Sequence, residues 1–239
     1  MDSWIQTFRR AAYRWLLRDF PADEFPEVAV LPLGNPDLFD LSPLLSRLTD
    51  VRRVGTFHFG NYGDKPVAVS SSKLGAPAAA LAMDVMGMTP VSRVFAIGYC
   101  GGLQEAVNFG DLVIPTQAVG DEGTSQHYRQ LDRSLADEGM VEALVRVCRN
   151  RGHRHHLGCL WSTDGILRET DEHIADWSDR GLIGVDMETS ALFTVAAVTG
   201  KRAAAVLVAS DNPLLKKCAD GPTVRRGYLR AVEVLFDCL

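Results

Sequence analysis

No apolar run in these 239 residues approaches the roughly 18–20 that a bilayer-spanning helix needs, so a membrane-embedded protein is not expected. Positive charge is in short supply: 25 Lys and Arg stand against 30 Asp and Glu, a net charge of −5. That balance argues against nucleic acid or an anionic membrane as the main partner. Cysteine is scarce too. Cys100, Cys148, Cys159, Cys218 and Cys238 are odd in number, unclustered and free of any CxxC spacing. They read as reduced thiols of a cytoplasmic protein, with neither a disulfide frame nor a zinc site. The stretch "MDSWIQTFRRAAYRWLLRDF" lacks the uninterrupted apolar core of a signal peptide. It is amphipathic and predicts a helix packed on the domain or on a partner subunit, with a transit peptide or a membrane-surface helix as the other readings. Internal repeats, low-complexity segments and linkers are also missing, and one domain is expected.

What is present is ordinary globular composition, 46% hydrophobic and 23% charged. After a helical segment over 1–27, apolar strands and helices alternate through a single domain over 28–239. "EVAVLPLG", "KPVAVSSSKLG", "RVFAIGYCGG", "GDLVIPTQAVG", "HLGCLWSTDG" and "RAAAVLVASD" read as strands. "APAAALAMDVMG", "LADEGMVEALVRVCRN" and "TVRRGYLRAVEVLFDCL" read as helices, and "LIGVDMETSALFTVAAVTG" runs from a short strand into a helix. Several strands are continuous apolar runs, the pattern of a sheet covered on both faces. The expected fold is a three-layer α/β/α arrangement around a mixed, mostly parallel sheet.

Polar or glycine-rich punctuation closes four of these strands: "LGNPD", "IGYCGG", "WSTDG" and "VASDNP". In open α/β sheets ligands sit beyond the carboxyl ends of the strands. Asp164, Asp186, Glu188 and Asp211 are therefore candidates to line one cleft. Taken singly, each is an ordinary helix cap or solvated charge, Asp164 above all. Between Arg93 and Pro115 an apolar strand breaks into Gly98-Tyr99-Cys100-Gly101-Gly102 before a second apolar run. These glycines read either as a tight turn or as backbone held close to a ligand. The run His153–His156 reads as a solvated loop rather than a metal site, because adjacent imidazoles on a strand point to opposite faces.

Five motifs in a fixed order, "LPLGNP", "SSKLGAPAAAL", "IGYCGGLQEAVNFGDLVIP" with "DEGTSQHY", "VDMETSALF" and "VLVASDNP", carry a resemblance. From Val28 to Pro213 the chain resembles the nucleoside phosphorylase superfamily, which holds purine nucleoside and uridine phosphorylases, methylthioadenosine/adenosylhomocysteine nucleosidases and AMP nucleosidase. The resemblance implies a nucleoside or nucleotide as partner and a homo-oligomer, dimer, trimer or hexamer, with shared active sites. It implies no cofactor and no metal; inorganic phosphate is a co-substrate only if the reaction is phosphorolysis.

Residue by residue, Glu188 matches the glutamate that accepts hydrogen bonds from the ribose 2′- and 3′-hydroxyls, a role suited to an acceptor-only carboxylate. Met187 matches the methionine packed on the sugar, with ordinary core as the other reading, and Asp186 takes a supporting role. Asp211 stands where purine-cleaving members carry the acid that protonates N7. Ile166 stands at the base-stacking aromatic. Thr170 and Glu172 occupy the places where uridine phosphorylases have a Gln and an Arg, so a purine is favoured.

The glycine-rich segment, Gly98, Tyr99, Cys100 and Gly101, lies at the resemblance's phosphate site. Ala96 and Tyr99 replace its Arg and hydroxyl, and Leu38 replaces a second Arg; Arg53, with Arg52 beside it, matches a third that relatives supply across the subunit interface. Losing charge-assisted bonds of about 1.5–3 kcal/mol each disfavours a bound phosphate dianion. Hydrolysis of a purine nucleoside or nucleotide is the first expectation, with Asp37 as the water-activating carboxylate. "GYCGGL" and "SDNPLLKK" also resemble AMP nucleosidase, a hydrolase. Two alternatives stand beside it: a purine-nucleoside or uridine phosphorylase with a phosphate site rearranged around Arg52, Arg53 or Arg93, and a non-catalytic nucleoside-binding homologue. Arg18 is the nearest polar match for a 5′-site histidine.

Overall fold

The computed structural model describes residues 3–17, 20–35 and 39–239; Arg18, Asp37 and Leu38 lie outside the described residues. Helices are α1 (Ser3–Leu17), α2 (Ser42–Leu45), α3 (Ala76–Gly87), α4 (Ser125–Tyr128), α5 (Glu138–Asn150), α6 (Asp171–Asp179), α7 (Thr189–Thr199) and α8 (Gly221–Asp237). Strands are β1 (Val28–Pro32), β2 (Thr49–Val54), β3 (Phe57–Tyr62), β4 (Lys65–Ser70), β5 (Arg93–Gly102) and β6 (Leu112–Asp121). They continue with β7 (Ser134–Leu135), β8 (His155–Thr163), β9 (Gly184–Asp186), β10 (Arg202–Asn212) and β11 (Lys217–Cys218).

The layers follow from strand periodicity. In β1, Ala29 and Leu31 point into one core with Met83 of α3 and Leu192 and Phe193 of α7. Val28 and Val30 point into the other, with Leu144 of α5 and Val232 and Leu235 of α8. Both faces of the sheet are thus helix-covered, which is why the strands read as unbroken apolar runs. The N-terminal segment joins this body: Leu17 and Phe20 are buried in the first core, and Phe20 stacks on Phe59 with ring centroids 4.4 Å apart.

Part of the mixed sheet closes on itself. β5 pairs in parallel with β10, β10 antiparallel with β6, and β6 in parallel with β8. β8 then pairs in parallel with β9, and β9 antiparallel with β5, completing a ring of five strands. From β5 the sheet continues as an open wing through β1, β4, β3 and β2. The β2–β3 hairpin turns at Gly55 and the β3–β4 hairpin at Gly63, both at φ 57°.

One expectation is corrected at the centre of the molecule. β5 does not break at its glycines; it runs on through Gly102, and Gly98 and Gly101 are not among the positive-φ residues. Gly98 is required by packing: a Cβ there would sit 2.6 Å from the Leu33 carbonyl oxygen. The glycines let β5 lie close to its neighbours rather than turn away from them.

Candidate active site

The ends of β1, β5, β9 and β10 meet the turn ahead of α6 around a cavity of about 250 Å³. A wider depression of about 510 Å³ lies on the α5 surface beside Arg146 and Arg149. The smaller cavity is distinguished by chemistry: Asp186, Glu188, Asp211 and Glu169 all face it, among Leu33, Leu74, Ile166 and Val185.

Glu188 stands at the entrance of α7, only 4% exposed. Its Oε1 accepts the Gly75 backbone N–H at 2.6 Å and its Oε2 the Met187 N–H at 3.2 Å. Two N–H donors do not offset the burial. Loss of water, followed by the neighbouring Asp186 charge, pushes the Glu188 carboxyl up to about 8. Asp186 is fully engaged: Oδ1 accepts the Ser162 hydroxyl at 2.6 Å, and Oδ2 accepts the Thr189 N–H at 3.1 Å and the Thr189 hydroxyl. It accepts the first N–H of α7 and raises its neighbour.

Asp211 lies where β10 bulges past Ala209, paired with Gly101. The Ser210 hydroxyl donates to its Oδ1 at 2.7 Å, and Oδ2 lies 3.1 Å from where a Gly101 Cβ would stand. A side chain at Gly101 would press on the acid. Tyr99 lines the cavity and leans on Phe39 and Tyr228, with centroids at 5.5 and 6.0 Å. Burial, then Asp40, pushes its hydroxyl up. Cys100 is buried behind it, its thiol raised by burial and by Asp186 and Asp211.

The structure brings together Glu188, Met187, Asp186, Asp211, Tyr99, Cys100, Gly101 and Ile166 around this cavity. The other described candidates do not line it. Gly98 serves the β1–β5 approach instead of the cavity wall. Arg53 lies on the edge strand β2, its Nε donating to the Gly55 carbonyl at 3.3 Å. Arg52 lies over the rings of Phe20 and Phe59, 5.1 and 5.9 Å from their centroids. Arg93 opens β5 and so sits at the opposite end of that strand from the cavity. Ala96 is buried in the core layer under α3 and α7.

Asp164 is exposed and caps no helix; its Oδ2 accepts the Gly123 N–H at 2.9 Å. The region ahead of α6 also differs from expectation. Thr170 caps that helix through the His173 N–H at 3.3 Å, and Glu172 is exposed on its first turn. Beside Ile166, this segment lines the cavity with Glu169, which the motifs do not mark. Its one sequence signal is a carboxylate placed directly before a helix-capping threonine.

A buried acceptor carboxylate after β9 and a second carboxylate at the end of β10 thus share one cavity over a mixed α/β sheet. The chain belongs to the phosphorylase superfamily, whose family profile matches residues 33–226 and spans every residue of the cavity named above. It is similar to guanosine phosphorylase of Halorubrum lacusprofundi, 29% identical over 194 residues, 78% of each chain. It is similar to uridine phosphorylase of Escherichia coli, 24% identical over 229 residues, 88% of this chain and 90% of that one. DeoD-type purine nucleoside phosphorylase of Actinobacillus succinogenes is 28% identical over 203 residues, 80% and 83% of the two chains. In fold it resembles the crystal structure of uridine phosphorylase from Vibrio fischeri, with TM-score 0.80 over 90% of this chain and 92% of that one at 23% identity.

Proposed function

We propose that this protein is a nucleoside phosphorylase that cleaves the N-glycosidic bond of a purine nucleoside and passes the ribosyl group to inorganic phosphate. The observation that carries the reading is the convergence of Glu188 and Asp211 on one cavity. Ionised Glu188 accepts from both ribose hydroxyls and holds the sugar as it gains oxocarbenium character. Asp211 gives its proton to N7, so the base leaves neutral, a contribution of about 10²–10⁴-fold. The three relatives named above are phosphorylases, and their names favour phosphate over water as the acceptor. Phosphorolysis accordingly stands ahead of the hydrolysis that the motifs suggested first.

The cations for the phosphate come, in this reading, from beyond the cavity wall. Arg225 acts electrostatically on Tyr99 and pairs with Asp40 at 3.2 Å. Arg53 would reach a neighbouring site from a second copy, which makes the working form a homo-oligomer. Hydrolysis remains the second reading on one specific ground: among the described residues, no Lys or Arg lines the cavity.

One assay decides among them. Purine nucleosides and uridine are incubated with and without phosphate, and the sugar product is identified. Ribose 1-phosphate, formed at a rate that saturates with phosphate, supports the proposal. Free ribose at a rate indifferent to phosphate moves the protein to the hydrolases. No cleavage of any nucleoside leaves a binding protein.

A further inference from the structure

Tyr13 and Leu17 tie α1 to the body. Leu17 is fully buried in the first core, and Tyr13 packs against that core. Burial, then the Asp23 charge, pushes the Tyr13 hydroxyl up to about 12, so Asp23 too lies on the body side of the helix.

The aromatic face of α1 is turned the other way. Trp4 is 74% exposed and Phe8 56%, their ring centroids 6.1 Å apart. Ala11, on the same face, is exposed as well, and Trp15 continues the spacing in the sequence. At about 3.6 residues per turn, Tyr13 falls opposite Trp4. Helices on a globular body normally turn their apolar stripe inward. Each of these rings can bury about 150–250 Å², and here most of that surface stands open.

The charge of α1 is as distinctive. It holds Arg9, Arg10 and Arg14 and no acid, within a chain of net charge −5. By helical spacing, positions 10 and 14 flank the aromatic face on one side and position 9 on the other. The helix also precedes residues 33–226, which match the family profile, and takes no part in the cavity.

We propose that α1 is a membrane-surface helix that lays its Trp4–Phe8 face into the headgroup region of an anionic lipid bilayer, where its arginines meet the lipid phosphates. Exposed aromatics flanked by arginine, on a helix of low overall hydrophobicity, are the composition of helices that lie in that interface. Pairing with the same helix of a second copy would instead set arginine against arginine. The negative charge of the whole chain opposes a bilayer, so the contact is confined to this one helix. Leu17 and Phe20, both in the core, carry the domain with it.

The full-length protein is sedimented with vesicles of phosphatidylcholine alone and of phosphatidylcholine mixed with phosphatidylserine. Wild type is expected to partition about tenfold or more strongly into the anionic vesicles, since each arginine near such a surface contributes about fivefold. Raised salt should erase most of that preference. Trp4→Ala with Phe8→Ala should weaken anionic binding by about tenfold or more at an unchanged melting temperature, because both rings face away from the core. Arg9→Gln with Arg10→Gln should cut the anionic preference by about tenfold or more. Equal binding to both vesicles, binding to neither, or binding that survives the loss of both rings overturns the inference. Loss of oligomeric mass in the Trp4/Phe8 variant by light scattering, with no vesicle binding by wild type, overturns it as well and gives the face to a second copy.

Discussion

The backbone N–H of Gly75 donates to Glu188 Oε1 across 2.6 Å, tying the entrance of α3 to the entrance of α7. Gly75 adopts φ 83° and ψ 156°, a conformation that a side chain opposes. The bond orients the Glu188 carboxylate, which holds the ribose in the proposed function, and it depends on a backbone shape that glycine supplies. Gly75→Ala is therefore expected to raise KM for the nucleoside by about tenfold while the fold persists, since strain of this kind costs about 1–3 kcal/mol. Steady-state kinetics beside a melting curve checks it; an unchanged KM would detach Gly75 from the site.

Glu188→Gln should lower kcat/KM by about 10²-fold or more, because an amide presents a donor where the ribose hydroxyls need an acceptor. Stability should move the other way at high pH. The wild-type carboxyl holds its proton more tightly folded than unfolded, so it favours the folded state most below its ordinary value of 4.5. That advantage is lost as pH rises towards about 8. Glu188→Gln is thus expected to gain on wild type in melting temperature between pH 5 and pH 9. A constant gap across that range would mean the carboxyl is not held protonated.

The same proton sets the pH profile of substrate capture. Below about 8 Glu188 keeps a proton in the empty site, with Asp186 as its charged neighbour and the Gly75 and Met187 N–H groups as its donors. Nucleoside binding should strengthen as pH rises from 6.5 to 8.5, by up to about tenfold per unit while the group titrates. Glu188→Gln should flatten that slope. A slope that survives the substitution assigns the titration elsewhere.

Asp211→Asn is expected to slow purine nucleosides by about 10²–10⁴-fold, the range of general acid catalysis. A riboside whose leaving group departs without protonation should lose far less. Equal slowing of both would make the residue a support for the β10 bulge.

Gly98→Ala tests the reinterpretation of the glycine segment. A methyl 2.6 Å from the Leu33 carbonyl oxygen forces β1 and β5 apart. The expected loss is about 1–3 kcal/mol of unfolding free energy by denaturant titration. A substitution without effect would restore the ligand-facing role.

Much of this was legible in the sequence, for physical reasons that also explain the gaps. β1, β5, β6, β8 and β10 announced themselves as apolar runs because helices cover both faces of the sheet. β2 is exposed at nearly every position, so its edge strand carries no hydrophobic pattern. α6 buries Ile174 alone and escaped notice likewise. Only Gly55 and Gly63 marked the hairpins. Glu188 and Asp211 were readable because short motifs fix them at strand ends. Glu169 was not, because a 3-10 turn and a helix cap set which residue of "LRETDE" points inward, and the aligned positions Thr170 and Glu172 were spent on the helix. The ring of β5, β10, β6, β8 and β9 joins partners distant along the chain, which no local pattern records.

That ring has a consequence for how the protein can vary. An edge strand of an open sheet can slide or splay by giving up one ladder of hydrogen bonds, whereas a hoop has no edge and every strand in it has a ladder on each side. Asp211, Glu188 and the Tyr99–Gly101 wall all hang from the hoop and keep their mutual spacing together. Glu169 hangs from the segment between hoop and helix, bound to neither ladder. Insertions and substitutions can therefore accumulate in that segment, leaving Glu188 and Asp211 where they are.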